Sequence, residues 1–231
     1  MVIIFCKDTA KIILKVQLLW FLINLLILFF QKQVPTINSS YFFEIYLITF
    51  IIVGRSIFIS ALLYFSTMIY QLDFRALGVT KYNFFKNLTL GLKISLWLLI
   101  GLISINLITN NLNAIFKVKD INSLSKSLSY FVIFFLCYLI PAFSKELFFR
   151  GFINYQFSKL YKPWQAFSLT VLYYSITHFD LRFPVLMINF LIALITTYLY
   201  YKSGSLVAST IFQATYKAAV AIYIFSPASF L

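Results

Sequence analysis

Residues 144–152 read SKELFFRGF and place three charges, Lys145, Glu146 and Arg150, inside a highly apolar chain. Apolar residues make up 62% of its 231 residues and charged residues 11%, whereas soluble domains carry about 25% charged residues. A charge inside a membrane span costs roughly 2.5–3.5 kcal/mol on insertion scales. The composition predicts a membrane protein, and the charged stretch is the first place to expect a functional site.

The apolar runs predict an all-α, polytopic membrane helical bundle. A spanning helix needs about 20 mostly apolar residues, and Gly and Pro are too few to favour a β-barrel or a disordered chain. Seven candidate spans cover residues 12–30, 46–69, 88–107, 130–157, 164–177, 183–201 and 206–225. An eighth arises if the run 41–72 is divided near Gly54. The first span is read as retained, because no small-residue cleavage site follows Phe30.

The chain is read as one membrane domain with two parts. Residues 1–127 supply N-terminal helices and a loop, and residues 128–231 form the core that holds the charged stretch. The Asn-, Ser- and Lys-rich segment 108–128 is predicted to be a mobile, solvated loop. Cys137 lies in an apolar run and is read as a small core residue, and Cys6 lies near the start, so no disulfide framework is expected.

The basic residues lie at the ends of apolar runs, where they contact lipid headgroups and set orientation. A cytoplasmic N-terminus places nine Lys and Arg residues on the cytoplasmic side and five on the other. The net charge of +13 is therefore ascribed to the lipid bilayer as partner and not to nucleic acid. The abundance of Phe, Ile, Lys and Asn suggests a bacterial genome, so we expect a multi-pass protein of a bacterial plasma membrane.

Glu146 and Arg150 are four residues apart, so they share one face of a helix and can form an ion pair. Such a pair can be purely structural, fixing helix packing. Lys145 lies about 100° around the helix from Glu146 and has Phe149 at its own i+4 position. It therefore needs another acid, water, or a neutral state.

The chain has one histidine, His178, which can act as a general base, a hydrogen-bond donor or a metal ligand. A lone histidine is also often structural, and Asp180 can orient the imidazole or mark the interface. Glu44 is read as an interfacial anchor, and Arg55 is predicted to face the protein interior.

These residues resemble the CPBP family (CAAX protease and bacteriocin processing, or Abi) of intramembrane, metalloprotease-like endopeptidases. The family's first motif is Glu-Glu-x-x-x-Arg, which reads Lys145 to Arg150 here, followed by Gly151 and Phe152. The second, Phe-x-x-x-His, reads Tyr174 to His178, and the third, His-x-x-x-Asn, reads Gln213 to Lys217. The resemblance covers about residues 128–223 and implies a bundle of eight helices.

The resemblance also implies that the motifs are degenerate. The first acid of the family is thought to activate water with the second-motif histidine, and the third-motif residues are thought to stabilise the oxyanion. The substituted positions here are Lys145, Gln213 and Lys217, so the implied catalytic set is reduced to Glu146 and His178, with Arg150 as ion-pair partner. Protonated Lys145 cannot accept a proton, although a neutral lysine could. Gln213 and Lys217 could still hold an oxyanion.

Three functions stay open. The first is a pseudoenzyme-like member with weak or lost peptidase activity, acting in bacteriocin self-immunity or binding a peptide or a partner membrane protein. The second is an active CAAX-type endopeptidase that uses Glu146 and His178 on a bacteriocin or a lipidated, prenylated peptide. The third is a small permease or assembly factor, for which Asn24, Arg55 and Asn189 are the only polar hints.

No cofactor and no catalytic metal are predicted. Glu146 and His178 are the only recognisable metal ligands, and zinc usually takes three protein ligands and a water. Zinc therefore enters by family analogy alone.

Overall fold

The computed structural model describes residues 73–108, 121–177 and 183–225, several positions between 11 and 22, and Gly54 and Ile57. From Phe84 onward its α-helices are α1 (Phe84–Ile108), α2 (Ile121–Glu146), α3 (Asn154–Leu160), α4 (Pro163–Ile176), α5 (Phe183–Ser203) and α6 (Leu206–Phe225). A π-helix, Leu147–Ile153, joins α2 to α3. The described residues contain no strand, so the all-helical expectation is confirmed for them.

Three stretches are long and apolar enough to cross a membrane, by length and composition, within the described part of the chain. They are Phe84–Gly101, Phe131–Leu160 and Val185–Ser203. The predicted spans at 12–30 and 46–69 lie largely outside the described residues.

Helix α6 is the central element of the bundle and packs most extensively against α2 and α1. Ala208, Ala214 and Ala218 are buried along it, and small side chains let neighbouring helix backbones come close. At the α1 crossing, a Cβ on Gly91 would lie 2.5 Å from the carbonyl oxygen of Ala208. The sequence of α6 therefore suits a helix surrounded by others.

The last part of the polar segment predicted as a loop, 108–128, is helical, because α2 already begins at Ile121. The stretch INSLSKSL contains neither Gly nor Pro, and Leu, Lys and Ser are all compatible with a helix. Polar composition alone was therefore a poor sign of a loop here.

A turn before α1 closes one end of the bundle. Leu77 is fully buried against the π-helix, where a Cβ on Gly151 would lie 3.0 Å from the Leu77 carbonyl oxygen. The Leu206 amide donates to the carbonyl oxygen of Gly78 at 3.0 Å. Gly78 has φ +83° and Tyr200 at its α-carbon, so both its backbone and its surroundings require glycine.

Candidate functional site

The charged stretch forms the end of α2 and the π-helix, and it lies in the core of the bundle. Glu146 and Arg150 are both fully buried, and their side chains form an ion pair with 3.3 Å between Arg150 Nη1 and Glu146 Oε1. The pair predicted from the i,i+4 spacing is therefore confirmed. A π-helix inside a longer helix is rare and often marks a functional site.

Helix α6 contributes the third member of the cluster. The amide nitrogen of Gln213 donates to Glu146 Oε1 at 2.5 Å and, more weakly, to the Tyr174 hydroxyl at 3.4 Å. Gln213 is as buried as the ion pair. The structure thus brings together the first residue of the third motif with the glutamate and arginine of the first.

Arg150 is anchored on its far side by α5. Its Nη2 donates to the Ala193 carbonyl oxygen at 3.1 Å and to the Thr196 hydroxyl. Its guanidinium also lies 4.3 Å from the ring centroid of Tyr174, within the range of a cation–π contact. Arg150 therefore ties the π-helix to both α4 and α5.

Two lysines flank this cluster. Lys145 Nζ lies 4.6 Å from the Tyr174 ring centroid, and Lys217 Nζ lies 5.8 Å from that of Tyr138. Both positive charges act on the Glu146 carboxylate together with that of Arg150. The two substituted lysine positions of the first and third motifs thus surround one acid.

Several polar atoms of the cluster lack a hydrogen-bond partner among the described residues. They are Glu146 Oε2, Arg150 Nε, Gln213 Oε1 and Thr210 Oγ1. Thr210 lies one helical turn before Gln213 on α6. Buried polar atoms are normally paired with protein or water. Glu146 Oε1 is therefore committed to Arg150 and Gln213, whereas Oε2 accepts no hydrogen bond of ordinary geometry from the described residues. The Ser209 hydroxyl of α6 also lies beside this carboxyl group.

Some predicted residues lie outside the described residues, namely His178, Asp180, Glu44, Arg55 and Asn24. Asn189 lies on α5 and is half-buried. Sequence reasoning missed Thr196, for which 46 residues of separation from Arg150 left no signal. It also gave Tyr174 no role. The signal for one was present, because this position is phenylalanine in the family motif and the tyrosine here adds a hydroxyl group.

The cluster does not fit a divalent cation. Among the described residues no three His, Cys, Asp or Glu side chains lie together. Glu146 already accepts from Gln213 and pairs with Arg150, and two further positive charges act on it. Such surroundings repel a cation. The expectation that the protein has no catalytic metal stays a prediction, since His178 is not described.

The comparison with known families agrees with the motifs. Residues 127–219 match the family model of the type II CAAX prenyl endopeptidase Rce1-like proteins. This match supports a CAAX-protease-like family for residues 127–219. The CAAX-protease-like segment runs from α2 through most of α6 and contains every motif position. No curated protein and no solved structure matches the chain.

Proposed function

We propose that this protein is a CAAX-protease-like membrane protein that binds a peptide or a partner membrane protein with little or no cleavage. The specific role that we propose is bacteriocin self-immunity. The protein would lie in a bacterial plasma membrane with its N-terminus in the cytoplasm, and its bundle would have seven or eight spans. The observation that carries the proposal is the Glu146 carboxylate, fully buried and held by Arg150 and Gln213.

The side of the site that would activate water supports this proposal. The position of the family's first acid is Lys145, and its amine lies over the Tyr174 ring at 4.6 Å from the centroid. A protonated amine cannot take a proton from water. Loss of a general base typically slows a reaction by about 10²–10⁴-fold.

The residues that would hold the oxyanion also support this proposal. An oxyanion hole needs donors that are free to meet the developing charge. The Gln213 amide already donates to Glu146. Hydrolysis would require breaking this bond inside a buried cluster, so binding is favoured over cleavage.

One observation favours the alternative, a working endopeptidase. Glu146 Oε2 has no donor among the described residues, so a water could bind there and be activated jointly with His178. Arg150 Nε and Gln213 Oε1 would then be its further partners.

A cleavage assay separates the two functions. The full chain in membranes is incubated with a prenylated CAAX peptide, and product is measured by mass spectrometry. We expect the wild type to match membranes that lack the protein. The triple variant K145E/Q213H/K217N restores the family residues and should create cleavage that Glu146→Gln then removes.

Wild-type cleavage that is lost on Glu146→Gln or His178→Ala would establish the endopeptidase and overturn our proposal. Protection against a bacteriocin encoded beside the gene should persist in the same variants if binding is the function. All variants are compared at equal folded amount, judged by size-exclusion chromatography, because the cluster is part of the core.

A further inference from the structure

We infer that one end of the bundle is a binding surface for the anionic headgroups of membrane phospholipids. We call this surface the basic rim. It consists of six cationic residues from separate segments of the chain, namely Arg75, Lys81, Lys86, Lys159, Lys162 and Lys202. It is independent of the Glu146 cluster and of any peptidase activity.

Contacts between the segments place them at the same end. The Leu206 amide donates to Gly78, which joins the start of α6 to the turn before α1. The Tyr201 hydroxyl donates to the Pro163 carbonyl oxygen at 3.2 Å, which joins the end of α5 to the start of α4. Leu77 packs at Gly151, so the π-helix approaches the same end.

The charged side chains of the rim are almost all positive, and they are exposed. All six cations are exposed. Asp73 is the one acid in these described segments, and its carboxylate accepts from the Arg75 backbone amide at 3.0 Å. Among the described residues, none of the six side chains forms an ion pair with a carboxylate. An external anion would therefore meet little competition.

Aromatic side chains identify the anion as part of a membrane. Tyr82, Phe85 and Trp164 are 73%, 81% and 67% exposed, and such side chains are enriched where lipid tails meet water. Two of the apolar stretches meet this end, since Phe84–Gly101 begins there and Val185–Ser203 ends there.

Lys159, Lys162 and Lys202 form the part of the rim nearest to α4. Lys159 Nζ lies 4.3 Å from the Tyr155 ring centroid, and Lys202 Nζ lies 5.5 Å from that of Tyr198. These rings support the lysine stems while the ammonium groups stay exposed. Each basic residue at an anionic membrane surface contributes about fivefold in affinity.

Lipid binding to the purified full chain in detergent tests the inference. Phosphatidylglycerol and phosphatidylcholine with identical acyl chains are titrated, and bound lipid is measured by native mass spectrometry. We expect the wild type to prefer phosphatidylglycerol by about fivefold or more, the contribution of a single cation. The variant K159Q/K162Q/K202Q should lose most of this preference, while K159R/K162R/K202R should keep it.

Equal retention of both lipids by the wild type would overturn the inference. So would a Gln variant that stays folded and keeps the full preference. Soluble glycerol 3-phosphate is the third arm, and at millimolar concentration it should not displace the lipid. Displacement would show a site for free phosphate and would also contradict the assignment.

Discussion

Arg150 illustrates how a single buried cation can organise several helices. It pairs with Glu146 on its own segment, donates to two groups on α5 and lies over the Tyr174 ring of α4. Burying such a charge is costly unless its partners are in place. The arrangement therefore depends on all of them together.

The ion pair predicts that a single variant is less stable than a double variant that removes both charges. Arg150→Met should lower the free energy of unfolding by roughly 3–5 kcal/mol, because it removes one partner of a buried ion pair. The double variant E146Q/R150M should lose much less, since neither charge is then uncompensated. Chemical unfolding in mixed micelles measures both.

Lys159→Met is the matched control, because this cation is exposed and should change the unfolding free energy by well under 1 kcal/mol. Equal destabilisation by Arg150→Met and by the double variant would show that the charges do not stabilise each other.

At this scale the sequence predicted contacts within one helix well. The Glu146–Arg150 pair followed from spacing, and the motif pattern singled out Gln213. That Gln213 donates to Glu146 could not be predicted, because the register of α6 against α2 depends on how Ala208, Ala214 and Ala218 pack. Pairwise patterns do not encode that packing.

Among the elements, the π-helix is the feature that the sequence concealed. The run 130–157 was predicted as one continuous helix, and it is helical throughout, but Leu147–Ile153 has the wider winding. Pro141 lies in α2 shortly before it and removes one backbone donor. Neither composition nor periodicity distinguishes a π-turn from an α-turn, so the expectation was correct in class and incomplete in geometry.

The crossing of α1 and α6 can be tested by two glycine substitutions in the same helix. Gly91→Ala places a methyl group 2.5 Å from a backbone oxygen of α6, so the helices must separate and stability should fall by about 1–3 kcal/mol. Gly101→Ala meets nothing within 4 Å and should be neutral or slightly stabilising. The thermal unfolding midpoint in detergent reports both, and a similar decrease for the two variants would contradict the close crossing.

For the whole molecule, the predicted cytoplasmic loops and the basic rim involve the same residues. The positive-charge bias of the sequence predicts that one side of the membrane holds Arg75, Lys81, Lys86, Lys159, Lys162 and Lys202. Hydrogen bonds between their segments support that common side. A cytoplasmic position for this side stays a prediction.

Cysteine labelling tests the orientation. Single cysteines replace Lys81, Lys162 or Lys202 in a chain whose Cys6 and Cys137 are serine. With an impermeant maleimide on intact cells we expect all three to stay unlabelled and to react once the membrane is opened. Ser129→Cys, exposed before the apolar stretch of α2 at the opposite end, should react from outside. Mixed labelling of the three rim positions would contradict a common side.

Leu77 and Gly78 show that residues outside the segment matched by a family model can be part of the core of that segment. The matched segment starts at residue 127, yet Leu77 fills the core beside Gly151, and Gly78 accepts the first amide of α6. If residues 127–219 were grafted into another bundle, the space beside Gly151 that Leu77 fills would be empty. The first amide of α6 would also lack its hydrogen-bond acceptor. A segment transferred to another protein should therefore begin near residue 73, so that it includes Leu77 and Gly78.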